Sequence, residues 1–260
     1  MPALTQLLVQ FIFRLTFGMA LAMAVTPHKL VTSGYYRVHL WVLMGLNTLA
    51  ALAIFSDHAY EHWNAVFSLA VGITVASYIG AVVWLYERAS AGVLILYGIA
   101  SAALVAAALA LRWHDGTTEI GYTLGMLDLA SGGWLLGVTM AAMLLGHWYL
   151  NTPTMELVPL KRLVILMALA IALRTLVSAA GLWLNLSHGS EPLDTARWIF
   201  IGLRWLSGLL GTATMALMTW YVLKVPNTQS ATGILYAGVI LSFIGELASQ
   251  LLSVETLYPL

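Results

Sequence analysis

Three arginines and one glutamate interrupt otherwise apolar stretches of the chain: Arg14, Arg174, Arg204 and Glu246. Charges inside membrane-length apolar segments are expensive and face a bundle interior, a partner or a ligand, so each marks an intramembrane polar site. At ~1.5 Å of rise per residue, Arg204 lies roughly 10 Å below the outer boundary of its segment, and Glu246 lies about as deep in the next. Adjacent antiparallel helices bring two such residues together, and a buried Arg204–Glu246 ion pair is the first expectation. One carboxylate cannot neutralise three guanidiniums, however, and Arg14 and Arg174 sit nearer the midplane, too deep to reach an interface. The surplus positive charge asks for an anion, a water-filled cavity or carbonyl partners. Polar stripes accompany these charges: Gln6, Gln10, Gly18 and Ala22 around Arg14, Ser207, Gly208, Gly211 and Thr212 after Arg204, and Ser242, Ser249, Gln250 and Ser253 around Glu246. Their helical spacing puts each set on one face, although small and hydroxyl residues also serve plain helix packing.

Histidines offer a second chemistry. His39 and His147 lie at comparable depth near the inner ends of their segments, and two neutral imidazoles facing across a bundle are what a six-coordinate b-type haem iron requires. Arg37 and Arg162, with Lys161, could hold its propionates. The alternative is an interfacial aromatic belt shared with Trp41, Trp148 and Tyr149. The edge around Trp148, from Gly146 to Pro153, could also take a quinone head whose tail stays in lipid; read plainly, it is an anchor and a helix stop. His58, Glu61 and His62, like His114 and Asp115, read as solvated loop residues, because no third metal ligand is assured.

Composition decides what must position these groups. The 260 residues are 61% hydrophobic and only 8% charged, with a mean hydropathy of +0.89, which excludes a soluble globular domain. Equal numbers of basic and acidic residues remove the electrostatic case for nucleic acid. The lack of cysteine excludes thiolate zinc sites, iron-sulfur clusters and covalently attached haem. With no phosphate-binding loop, nucleophile elbow or zinc-protease helix, the chain carries no autonomous catalytic motif.

Apolar runs bounded by Pro, Gly and charge predict eight transmembrane helices at about 3–25, 36–56, 63–86, 91–111, 132–151, 160–185, 197–223 and 231–254. The chain is thus expected to be an all-α polytopic integral membrane protein, one membrane domain over 1–260. Arg14 within the first run, and the absence of Lys or Arg before it, make that run a retained helix rather than a signal peptide. One face gathers Lys29, Arg37, Arg88, Lys161, Arg162 and Lys224 against Glu87 and Glu156 alone, while Asp128 is counted among the acidic loop residues of the other face. The positive-inside rule then puts both termini and the long loop 112–131 on the outer, periplasmic side of an inner (plasma) membrane.

Trp84 to Gly92 followed by Ile95-Leu96-Tyr97 is echoed by Trp220 to Lys224, Ser230 to Gly233 and Ile234-Leu235-Tyr236. Two four-helix bundles follow as an expectation, a parallel repeat of halves 1–111 and 132–254 with a site between them. In helix count the chain resembles quinol-oxidising membrane anchors and haem-modifying proteins built from two four-helix bundles, a likeness of architecture that transfers no residue. The leading expectation is a membrane subunit of a respiratory-type electron-transfer complex, binding quinol or b-type haem and docked to partner subunits. The alternatives are a small secondary transporter or lipid-handling protein for an anionic substrate, or a scaffolding subunit.

Overall fold

The structure, a computed structural model, describes residues 2–57, 62–111, 117–152, 154–188, 194–225, 227–253, 256, 258 and 259. Among them are α1 (Pro2–Val25), α2 (Ser33–Ser56), α3 (Trp63–Leu85), α4 (Ala89–Leu109), α5 (Glu119–Asn151), α6 (Val158–His188), α7 (Thr195–Val222) and α8 (Thr228–Ser253). All eight are long and apolar enough to cross a membrane, and the described residues contain no strand. Their outer surface is apolar, with Leu52, Leu94, Leu176, Leu206 and Leu210 exposed, as the low charge content requires.

One boundary differs enough to change the chemistry. The segment expected at 132–151 is the later part of α5, which begins at Glu119. Thr118 caps it, its Oγ1 accepting the Gly121 amide proton at 3.2 Å, and Glu119 in the first turn complements the helix dipole. The expected loop 112–131 is therefore helical from Glu119 onward, and Asp128 lies inside α5, where it is buried. Residues His58, Glu61, His114, Asp115 and Pro153 lie outside the described residues.

Helices α1 to α4 pack in cyclic order, α5 to α8 do likewise, and the two groups meet chiefly where α1 crosses α5. This pair is central: 78% of each apolar window is buried, against 33–50% for the other six helices. Glycine makes the crossing possible, because a Cβ on Gly18 would lie 1.8 Å from the Gly133 carbonyl oxygen and one on Gly137 would lie 1.9 Å from the Gly18 carbonyl carbon. Backbone thus rests on backbone, the small-residue contact of membrane helices. The interior of the first group is closed by neutral groups: Asn47 Nδ2 donates to Thr16 Oγ1 at 2.9 Å, and Tyr36 stacks on Trp84 with ring centroids 4.0 Å apart.

Helix α7 is not α-helical throughout. From Arg204 to Gly211 it is a π-helix, in which the Thr212 hydroxyl reaches the Ser207 carbonyl at 3.3 Å. Such wide turns are rare and concentrate at functional sites. This one crosses α8 at glycines, since a Cβ on Gly208 would meet Gly245 Cα at 2.6 Å.

Candidate functional site

All four charges anticipated within the apolar runs converge, joined by Asp128. Counted along their helices at ~1.5 Å per residue, Asp128 and Arg204 lie about 14 Å from the α5 and α7 starts, and Glu246 lies about 10 Å from the α8 end. Those ends share the face that carries the N-terminal end of α1, so the five side chains occupy one layer. Each is almost sealed, with side-chain exposures of 2–4%.

Four of them form a closed ring of alternating charge. Arg14 Nη1 donates to Asp128 Oδ2 at 3.0 Å and to Glu246 Oε1 at 2.5 Å. Opposite it, Arg174 Nη1 donates to Asp128 Oδ1 at 2.5 Å and Nη2 to Glu246 Oε2 at 2.9 Å. Every carboxylate oxygen therefore has a guanidinium, the condition under which a buried ion network is tolerable. Arg174 adds bonds to the Asp128 carbonyl at 2.9 Å and to Ser131 and Ser249 at 3.3 and 3.1 Å. Gly132 makes room for the ring: a Cβ there would stand 2.7 Å from both Glu246 oxygens.

Arg204 is the odd member. The expected Arg204–Glu246 pair does not form, because the two Glu246 oxygens are engaged by Arg14 and Arg174. Arg204 instead approaches Asp128 Oδ1 at 3.5 Å and donates to two neutral hydroxyls, Ser249 at 2.6 Å and Ser178 at 2.5 Å. Two guanidiniums and two carboxylates make the ring neutral, so among the described residues one positive charge is left over, and Arg204 carries it. Guanidinium does not shed its proton in proteins, so this charge must be met by another group. Beside it is a cavity of about 10 Å³ lined by Arg174, Arg204, Gly208, Ser242, Gly245 and Glu246, among others, room for about one water-sized species.

His39, His147, Trp148, Arg37 and Arg162 are placed apart from this layer. His39 is buried, its Nδ1 paired with the Tyr35 carbonyl at 2.6 Å, and its ring lies 6.3 Å from that of Trp148. His147 is exposed on α5 and turns toward Tyr236 of α8, Nδ1 to Oη 3.4 Å. Trp148 is committed to the α2 start, its Nε1 donating to Thr32 Oγ1 at 2.8 Å. Arg37 is half-buried and Arg162 exposed. Among the described residues no three His, Asp or Glu side chains converge as a metal site. Compared with known protein families, with curated proteins and with solved structures, the chain finds no match.

Proposed function

We propose that the protein is a small secondary transporter for a small anionic solute, bound at Arg204 in the interior of the second helix group. The carrying observation is the leftover positive charge: Arg204 is 2% exposed, has among the described residues two serine hydroxyls and a 3.5 Å carboxylate contact for company, and borders the cavity. An unneutralised buried ion costs several kcal/mol even after relaxation, and an anion beside Arg204 removes that cost. The cavity admits a monatomic ion of about water size, so a halide is the fitting class. The anion also sits beside Glu246, whose own charge is cancelled by Arg14 and Arg174. The π-helical wall supports a site of this kind, since it starts at Arg204 and Gly208 within it lines the cavity.

In this reading the chain spans the inner membrane, with both termini on the outer side as its loop charges require. Helices α1–α4 and α5–α8 are parallel repeats whose first members, α1 and α5, meet at the pseudo-two-fold axis. Lipid covers the apolar exterior. A second reading rests on His39: donating its Nδ1 proton to a carbonyl fixes a tautomer with Nε2 available to iron, as in metal-ligating histidines. It would make the chain a haem- or quinol-binding electron-transfer subunit working with partner subunits.

Chloride-loaded proteoliposomes, with counter-ion movement permitted, are expected to release chloride faster than protein-free vesicles. Arg204→Gln should return the rate to the protein-free level. Release that survives this substitution unchanged would contradict the assignment, and a stoichiometric b-type spectrum lost in both His39→Ala and His147→Ala would move the function to electron transfer.

A further inference from the structure

Among the described residues, six buried side-chain polar atoms have no hydrogen-bond partner, and four of them belong to Gln10, Arg14 and Gln250. That concentration sets one seam apart. Arg14 of α1 touches Glu246 of α8, and these helices run antiparallel. One turn toward the face carrying the N-terminal end of α1 therefore leads to Gln10 on α1 and Gln250 on α8. Both are 5% exposed. Gln10 has its Oε1 unpartnered while its Nε2 donates to the Ala107 carbonyl at 2.9 Å; Gln250 has both carboxamide atoms unpartnered, and Arg14 has its Nε unpartnered. Gln250 follows directly on Ser249, which binds Arg204 and Arg174.

Leaving a buried amide group unsatisfied is destabilising, whereas a leucine at Gln250 would cost nothing in polar terms. Ordered water is the usual partner of such groups, and an anion with its hydration shell is another. We infer that the α1–α8 seam at Gln10, Arg14 and Gln250 is a hydrated conduit through which the anion reaches Arg204 from the face bearing the N-terminal end of α1. The carboxamides offer both donors and acceptors, so they solvate an ion in passage without holding it. Arg14 Nε supplies an unpartnered N–H donor at the inner end. On the other side the α1–α5 and α7–α8 crossings are closed by glycine backbone. The inference rests on the anion-transport reading above.

The natural absence of cysteine permits a direct test in sealed proteoliposomes with a membrane-impermeant anionic methanethiosulfonate reagent. Leu4→Cys, on α1 where it is exposed, reports the face of interest, and Tyr86→Cys, exposed just after α3, reports the opposite one. Gln250→Cys is expected to react to the same extent as Leu4→Cys. Leu252→Cys, about 3 Å nearer the helix end and 4% exposed, should stay unmodified. Gln10→Cys provides the same readout should the Gln250 variant not fold. Failure of both glutamine positions to react, or reaction in the fraction reported by Tyr86→Cys, would overturn the conduit. Chloride release by the cysteine-free protein is measured alongside: reactive glutamine positions without chloride release would leave the conduit standing and remove transport, and the converse result would do the reverse.

Discussion

Asp128→Asn is expected to destabilise the folded protein by about 3–5 kcal/mol, the range for removing one partner of a buried ion pair. Asp128 accepts from Arg14 and Arg174 and lies nearest Arg204. Its loss would leave three guanidiniums against the Glu246 carboxylate, all out of contact with water. The asparagine fits sterically, so the effect isolates charge. Denaturant unfolding of the purified protein in detergent measures it. Adding Arg204→Gln removes one of the stranded charges, and the double variant should recover about 0.5–3 kcal/mol relative to additivity, the coupling expected of residues in one network. Simple additivity of the two changes would mean that Asp128 and Arg204 do not share one network.

A single methyl group at the α1–α5 crossing should have a comparable effect. A Cβ at Gly137 would lie 1.9 and 2.0 Å from backbone atoms of Gly18 and Met19, where ordinary contacts are 3.4–4 Å. No rotamer relieves a clash between main chains, so the helices must separate. Overpacking of this kind costs about 1–3 kcal/mol or more. Separation also draws Arg14 of α1 away from Asp128 of α5, so Gly137→Ala should lose chloride release together with stability. Gly45→Ala and Gly72→Ala serve as controls, since nothing lies within 4 Å of either new Cβ. There the helix preference for alanine over glycine, about 0.8–1 kcal/mol, acts alone and should stabilise. Equal behaviour of Gly137→Ala and Gly45→Ala in the same unfolding assay would show that the crossing is looser than its geometry.

How far the sequence discloses this site depends on which physical signal each residue leaves. Long apolar runs reveal the eight helices, and charges within such runs reveal Arg14, Arg174, Arg204 and Glu246. Asp128 escapes because the first turns of α5, from Glu119 to Ala130, mix acids, glycines and threonine with their apolar residues, so the apolar run is recognised only farther along. Two clues pointed to it. A structureless connection of about 20 residues is uncommon in a compact domain, and three buried arginines need more than one carboxylate. Equal depth suggests an Arg204–Glu246 pair that does not form, because depth fixes height along a helix but not which neighbour an angular position faces. The π-helix carries no sequence signal apart from Gly208 and Gly211, since it arises from packing against α8. His39 and His147 are near one another in depth, yet one is turned under Trp148 and the other toward Tyr236, which depth alone does not reveal.

The claim that Arg204 holds a charge awaiting an anion is tested most directly by thermal unfolding of the purified protein across a chloride titration, compared with Arg204→Gln. A ligand bound only to the folded state raises stability by about 2.7 kcal/mol at a hundredfold excess over its dissociation constant. The wild type should therefore gain several degrees as chloride replaces a bulky, excluded anion. Arg204→Gln removes an unneutralised buried charge while leaving the neutral ring of Arg14, Asp128, Arg174 and Glu246 intact. It should match or exceed the chloride-free wild type in stability and ignore chloride. A wild type indifferent to chloride, or an Arg204→Gln variant as unstable as Asp128→Asn, would contradict the assignment and make Arg204 a structural member of the network.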